Sequence, residues 1–235
     1  MARIIAETLD ELHLTQVPLV PEIRLHLAQD AIIFWARLEA EAKTHVPAPF
    51  WASAWAGGQA LARYVLDHPW VVRGKRVLDV ASGSGLAAIA AALAGAAEVT
   101  ANDIDPKAVA AIRRNAAANH VPVAALPGDI LGLDTEINSF DVILMGDGLY
   151  DSEVAEAMLR FLRRQIDAHG ADVLVGDPGR GHLPQGELRR LATYPLKEMS
   201  LADSVIKSAA VFRLAAGSAG SAGQGRKDRY SGRVD

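Results

Sequence analysis

From Arg76 onward the apolar positions follow a repeating pattern in which short continuous runs of strand length alternate with stretches at helical spacing. Arg76–Ala81 reads as a buried strand, Leu86–Leu93 as a helix, Glu98–Asn102 as a strand and Pro106–Asn119 as a helix. Pro106 at the first helical position and Asp105 just before it are start signals. Val121–Leu126 and Asp141–Met145 follow as strands, then Glu153–His169 as an amphipathic helix stopped by Gly170, and Asp172–Gly176 as a strand. A helix is expected around Gln185–Ala192, with Tyr194–Leu201 and Lys207–Leu214 as closing strands. This alternation predicts an α/β fold, a doubly wound, mostly parallel sheet with right-handed crossovers and helices on both faces. No helix separates the last two strands, so they are expected to pair as a hairpin, with one antiparallel to the rest.

Upstream the pattern is weaker. Pro21–Leu27 alternates like a strand, and Ala28–Ala42 has helical spacing and carries Phe34 and Trp35. Val46-Pro47-Ala48-Pro49 punctuates the chain. The sequence thus divides into an N-terminal extension or cap over 1–48, a main domain over 49–214 and a tail over 215–235. The Ala-Gly-Ser composition at the start of that tail predicts flexibility. Phe50-Trp51-Ala52-Ser53-Ala54-Trp55-Ala56-Gly57-Gly58-Gln59 leads into a helix expected over Ala60–Leu66. Its indoles read either as core anchors or as a wall of a ligand pocket, with Trp55 and Gly58 the candidates for the wall.

Composition narrows the setting. Half of the 235 residues are hydrophobic and 22% are charged, as in a globular protein with a sizeable core. A formal charge of −4 argues against a general nucleic-acid binder, which needs a basic footprint. Without cysteine there is no disulfide, thiol nucleophile or thiolate metal site, and the seven histidines show no ligand spacing, so no metal is expected. The N-terminal residues turn acidic early and hold no long apolar run, so neither a signal peptide nor a membrane span is expected. The expected compartment is the cytoplasm and the expected state a monomer.

The candidate chemistry starts at Val77-Leu78-Asp79-Val80-Ala81-Ser82-Gly83-Ser84-Gly85. A glycine-rich turn between strand and helix lets a ligand's polar groups approach bare backbone N–H groups at the helix start. Gly83-Ser84-Gly85 with Ala88, and Asp103 twenty residues after Gly83, also fit a loose dinucleotide pattern. Asp79 shifts the reading, because a carboxylate beside that turn repels a pyrophosphate and suits a cation. S-Adenosylmethionine, with its amino group and sulfonium, is therefore favoured over NAD. Asp79, Ser82, Gly83 and Gly85 would form its cradle, and Asp103 would accept from both ribose hydroxyls. Asp129, after Gly128 at the end of the third strand, would accept from the adenine amine. Asp103 and Asp129 also have plainer readings, as a helix-start carboxylate and a turn aspartate.

Met145-Gly146-Asp147-Gly148-Leu149-Tyr150-Asp151 lies at the carboxyl end of the fourth strand, where open α/β sheets place their ligand crevice. Asp147 and Tyr150 are thus expected beside the methyl group that the first turn would present, with a polar turn and a core tyrosine as the plainer reading. No Gly-x-Ser-x-Gly elbow, no Gly-Lys-Ser/Thr phosphate turn and no Asn-Pro-Pro-aromatic motif occurs. Arg180, in Asp177-Pro178-Gly179-Arg180, reads either as a clamp on substrate or cofactor or as a structural ion-pair partner.

Phe50-Trp51 through Leu61, Val77 through Gly85, Asn102-Asp103-Ile104-Asp105-Pro106, Gly146-Asp147 with Tyr150-Asp151, and Gly176 through Arg180 occur in that order. Together, from about Pro21 to Leu214, they resemble the lysine methyltransferases that modify the β-subunit of electron transfer flavoprotein. The resemblance implies a seven-stranded, Rossmann-like class I methyltransferase fold with S-adenosylmethionine as methyl donor. It implies transfer to lysines of a protein substrate, the flavoprotein β-subunit foremost, with neither nucleic acid nor membrane as partner. It also assigns Asp147 and Tyr150 to the family's Asp-x-x-Tyr motif, which orients the substrate amine. Ser84 and Ala56 stand where animal relatives are expected to carry cysteine and proline, and the likeness is to a bacterial-type member. The alternatives are a methyltransferase for another protein, a small molecule or nucleic acid, and then an NAD-dependent oxidoreductase.

Overall fold

The computed structural model describes residues 12–131, 139–184, 186–196 and 206–215. The chain opens with a hairpin, β1 (His13–Val17) and β2 (Val20–Leu27), followed by α1 (Ala31–Ala42) and a 3₁₀ turn at Phe50–Ala52. Then come α2 (Ala56–Asp67), β3 (Arg76–Val80), α3 (Leu86–Leu93), β4 (Glu98–Asp103), α4 (Pro106–Ala118) and β5 (Ala124–Pro127). The chain continues through β6 (Val142–Gly146), α5 (Ser152–His169), β7 (Asp172–Asp177), β8 (Leu188–Pro195) and β9 (Ser208–Leu214).

The last seven strands form one sheet in the order β5-β4-β3-β6-β7-β9-β8. Neighbours from β5 to β7 are parallel, whereas β9 is antiparallel to both β7 and β8. This is the doubly wound sheet with one reversed strand that the alternation predicts. Chain direction across the sheet switches between β3 and β6, which opens a crevice above their carboxyl ends.

The central strands are apolar without a break: Val142, Ile143, Leu144 and Met145 of β6 and Val173, Leu174 and Val175 of β7 are all fully buried. Runs of this kind arise where helices cover both faces. Val77, Leu144 and Leu174 pack with α2 and α3 on one face, and Leu78, Val80, Ile143 and Met145 pack with Phe161 and Leu162 of α5 on the other. The N-terminal hairpin joins the first of these cores through Val17, Val20, Ile23 and Leu25. Asn115 of α4 holds the hairpin's backbone, its Oδ1 accepting from the His26 N–H at 2.8 Å. Trp51 is buried with its ring edge-on to Phe34 at 6.0 Å, so this indole is a core anchor tying α1 to the sheet domain.

The structure corrects several boundaries. The helix expected over Ala60–Leu66 begins at Ala56 and runs to Asp67, so Gly57 and Gly58 lie inside its first turn. First-turn N–H groups have no intrahelical acceptor, and glycine there costs less than in a helix interior when a close contact requires it. The strand expected over Val121–Leu126 lies at Ala124–Pro127. The helix expected around Gln185–Ala192 is instead strand β8, paired with β9 from Leu188↔Leu214 to Pro195↔Ser208. Leu188 and Leu191 have a spacing of three that imitates a helix. A β-bulge between Arg190 and Ala192 produces the same spacing in an extended chain. The closing hairpin therefore forms as expected but from β8 and β9, with β8 ending at Pro195. Gln185, residues 197–201 of the expected strand and residues 216–235 of the tail lie outside the described residues. No helix among the described residues is long and apolar enough to cross a membrane.

Candidate active site

Above the carboxyl ends of β3, β4 and β6 lies a cavity of about 880 Å³, within the size range of small-molecule and cofactor sites. Trp55, Gly58, Asp79, Ser82, Gly83, Asp103, Asp129, Asp147 and Tyr150 all line it. Of the residues expected from sequence, Gly85 is not in the wall. It caps α3 with a φ of 87°, and a Cβ there would stand 3.4 Å from Ile112 Cα, so its place is a tight turn packed on α4.

The β3–α3 turn is built around Asp79. Its Oδ2 accepts from Ser82 Oγ and, at 3.0 Å, from the Ala88 N–H in the first turn of α3. The side chain is 1% exposed. Burial pushes the Asp79 carboxyl up to about 7 against the pull of those two hydrogen bonds, and Asp103 nearby adds to the rise. Asp103 ends β4. Its Oδ2 accepts from the Gly83 N–H at 2.8 Å and its Oδ1 from the Asp105 N–H at 3.0 Å. A carboxylate offers about four lone-pair sites, so capacity remains for a further donor. Burial raises the Asp103 pKa, opposed by those N–H groups. Asp105 is the N-cap of α4 through the Lys107 N–H, as its position before Pro106 predicts. Asp129 is exposed at the rim and closes a turn by accepting from the Leu131 N–H at 2.9 Å.

The far wall comes from the loop after β6. Asp147 has a φ of 56°, and Asp tolerates this left-handed conformation better than most residues. Its Oδ2 accepts from the Gly58 N–H at 2.7 Å, which docks the start of α2 onto the sheet. Leu149 is fully buried and anchors the loop, while Tyr150 next to it is 51% exposed. Tyr150 meets Phe50 at 5.9 Å between ring centroids, and Phe50 meets Trp55 at the same separation. The Trp55 Nε1–H donates to the Phe50 carbonyl at 2.7 Å. Of the two indoles left open by the sequence, Trp51 is thus a core anchor and Trp55 belongs to an aromatic mouth.

Sequence reasoning assigned no site role to five further contributors. Phe50 completes the mouth. Asn102, 3% exposed, donates from Nδ2 to the Leu126 and Gly128 carbonyls and so holds the segment before Asp129. Gly146 and Gly176, in register on β6 and β7, let Gly57 and Gly58 of α2 approach the strand ends. Asp177 shapes the loop that carries Arg180, its Oδ1 accepting from the Gly179 N–H at 2.6 Å and the Arg180 N–H at 3.2 Å. Paired glycines at adjacent strand ends are the sequence signal for such a close approach.

Charge decides which ligand this cavity suits. Asp79, Asp103, Asp105, Asp129 and Asp147 line it, against Arg180 as the one lysine or arginine among its described lining residues. A pyrophosphate would meet carboxylates with little to offset them, whereas an ammonium and a sulfonium are favoured. The donor and acceptor set therefore fits S-adenosylmethionine: a buried acid at the glycine turn, a carboxylate with remaining acceptor capacity on β4 and a third acid at the β5 end.

A methyltransferase domain family matches residues 77–170. Over 191 residues the chain is 44% identical to the electron transfer flavoprotein beta subunit lysine methyltransferase of Xenopus laevis, covering 81% of this chain and 76% of that protein. It belongs to this family. The Homo sapiens member is 42% identical over 185 residues, covering 77% and 69% of the two chains. The Caenorhabditis elegans homolog is 35% identical over 207 residues, covering 80% and 84%. This methyltransferase is accordingly a protein-lysine methyltransferase with S-adenosylmethionine as its methyl donor.

Asp79 gives the enzyme a pH signature. Because its folded pKa of about 7 lies above the ordinary 3.8, the protonated carboxyl stabilises the unliganded fold. That contribution is complete below the ordinary value and is lost as pH rises through the folded one. A cation bound beside it lowers the pKa again. Binding of S-adenosylhomocysteine near pH 6.5 is therefore expected to release about half a proton or more per site. Its thermal stabilisation should also grow toward pH 8. Titration calorimetry in buffers of different ionisation enthalpy reads the released protons, and Asp79→Asn should remove most of them. Equal apparent enthalpies in all buffers with the native protein would contradict this picture of Asp79.

Proposed function

We propose that this enzyme methylates lysine side chains of the electron transfer flavoprotein β-subunit, with Asp147 and Tyr150 receiving the substrate amine at the cavity mouth. The observation that carries this reading is that Asp147, its side chain 9% exposed, and exposed Tyr150 three residues on both line the acidic cavity. Support for the substrate comes from the 44% identity to a relative named for it. The cytoplasm as compartment and a monomer as working unit belong to the same proposal.

Asp79 with the Ser82-Gly83 turn would hold the amino-acid end of the cofactor, Asp103 the ribose, Asp129 the adenine edge, and Trp55 with Gly58 the wall toward the substrate. Bound there, S-adenosylmethionine would supply an electrophilic methyl group, to which a neutral lysine amine would form an N–C bond as the S–C bond breaks and S-adenosylhomocysteine leaves with its electrons. The chain's task is to deliver that amine. With a reference pKa of about 10.4, a free amine costs about 4.6 kcal/mol to populate at pH 7. Desolvation in the mouth favours loss of the proton to water, and an acceptor within reach aims the remaining lone pair. Asp147 and the Tyr150 hydroxyl oxygen are those acceptors. Asp147 therefore orients the amine rather than taking up its proton.

The test is incubation with methyl-labelled S-adenosylmethionine and recombinant electron transfer flavoprotein β-subunit, followed by peptide mapping. Label on lysine of that subunit is the expected result. Label in nucleic acid but not in protein would overturn the reading, and label in another protein alone would replace the substrate.

A further inference from the structure

The loop after β7 carries a residue with a defined place beside Asp147 and Trp55. Asp177, 2% exposed, folds that loop through the Gly179 and Arg180 N–H groups. The fold returns the Arg180 guanidinium across the sheet top to Asp147, where Nη2 stands 3.5 Å from Oδ1. The two side chains are 26% and 9% exposed, and both line the cavity. The same guanidinium lies over the Trp55 ring, 5.6 Å from its centroid, and this contact fixes where the charge sits.

An isolated carboxylate beside a lysine would stabilise the ammonium and oppose the proton loss that transfer requires. Asp147 is not isolated. We propose that Arg180 is a positioning residue that neutralises Asp147, so that this carboxylate accepts from the substrate amine without holding it as ammonium. The inference rests on the substrate-binding role given to Asp147 above. Other charged and titratable groups around the site are Asp177 and His182 from the β7 loop, Tyr150 and Asp151 from the β6 loop, and Asp79, Asp103, Asp105 and Asp129 elsewhere in the cavity. The facing turn of α2 is Ala56-Gly57-Gly58-Gln59 and brings backbone N–H groups but no charged side chain. Among the described residues of the cavity wall the neutralising charge is thus that of Arg180.

The test uses single-turnover rates from pH 6 to 10, with enzyme in excess over recombinant electron transfer flavoprotein β-subunit. In the native enzyme the rate rises with pH as the amine loses its proton. With Arg180→Gln that limb should move up by about one pH unit, which lowers the rate at pH 7 about tenfold, with the difference shrinking only as pH passes the pKa of the bound amine. Arg180→Lys should restore the native limb, because it returns the charge without the fork. A uniform loss across the range, with cofactor affinity or melting temperature also lowered, would make Arg180 a packing residue and overturn the inference. An unchanged profile would overturn it as well. Asp147→Asn, run alongside, separates the two levels: if that variant transfers methyl at the native rate, the reading of Asp147 fails and takes this inference with it. If Asp147→Asn is inactive and Arg180→Gln keeps the native limb, the inference alone fails.

Discussion

Asp147→Ala should reduce methyl transfer roughly a thousandfold while leaving the affinity for S-adenosylhomocysteine within a few-fold of native. The large effect on rate follows from its position. Asp147 reaches the cavity from the loop after β6, and its carboxylate is the acceptor proposed above for the substrate amine. The small effect on affinity follows because Asp79 and Asp103 make their hydrogen bonds within the β3–α3 and β4–α4 turns, away from this loop. Alanine should also cost about 1–2 kcal/mol of stability, because it removes the acceptor of the Gly58 N–H and sits less well at a φ of 56°. Asp147→Asn isolates the chemistry from that loss. Its amide oxygen can keep the Gly58 N–H and asparagine accepts the same backbone, but its NH₂ then faces the site as a donor. The Asn variant should therefore fold as well as native and still transfer poorly. Native-like turnover in it would remove Asp147 from the mechanism.

Gly57→Ala should be a severely damaging single-methyl substitution in the active-site scaffold. A Cβ at Gly57 would lie 2.3 Å from the Gly176 carbonyl oxygen, 2.6 Å from its carbon and 2.8 Å from Asp147 Oδ2. The first two are backbone atoms of a central strand and have nowhere to go. The start of α2 must therefore lift, breaking the 2.7 Å bond from the Gly58 N–H to Asp147 and moving the carboxylate with it. We expect a loss of about 3 kcal/mol, which for a chain of this length lowers the melting temperature by roughly 6–12 °C. Methyl transfer should fall far more than cofactor binding. Gly58→Ala is the control, since its Cβ would find Asp147 Oδ2 at 3.9 Å and Leu86 Cδ2 at 4.0 Å, both ordinary contacts. That variant should melt within about 1 kcal/mol of native stability, helped by alanine's higher helix propensity. Equal melting temperatures for the two variants would mean that α2 is not pinned to the strand ends in this way.

Much of the fold was legible because its signals are local. The continuous apolar runs of β6 and β7 mark strands covered on both faces, and Asp105-Pro106 and Gly170 mark the start of α4 and the end of α5. β8 was not legible. Its Leu188 and Leu191 sit at helical spacing, and an edge strand with a bulge is defined by its partner β9 rather than by its own pattern. The start of α2 misled for a related reason. Gly57-Gly58 looks like a loop until Gly146 and Gly176 are placed against it.

The candidate site divides in the same manner. Asp79, Ser82, Gly83 and Asp103 are close enough in the βα turns that their grouping follows from the strand–turn–helix pattern, and so does the sign of the ligand's charge. Arg180 is the contrast. The sequence left it as clamp or ion-pair partner, and only its distance to Asp147 and its stacking on Trp55 give it a role. What the sequence determined by itself was the α/β alternation, the acidic character of the cofactor turn and, through family likeness, the reaction. The tertiary structure alone decided which groups share the substrate end of the cavity. Periodicity and residue chemistry are written over a few neighbouring positions, whereas the bond from Gly58 to Asp147 joins residues 89 positions apart. Such a contact forms only after the sheet has brought the ends of its strands together under one helix.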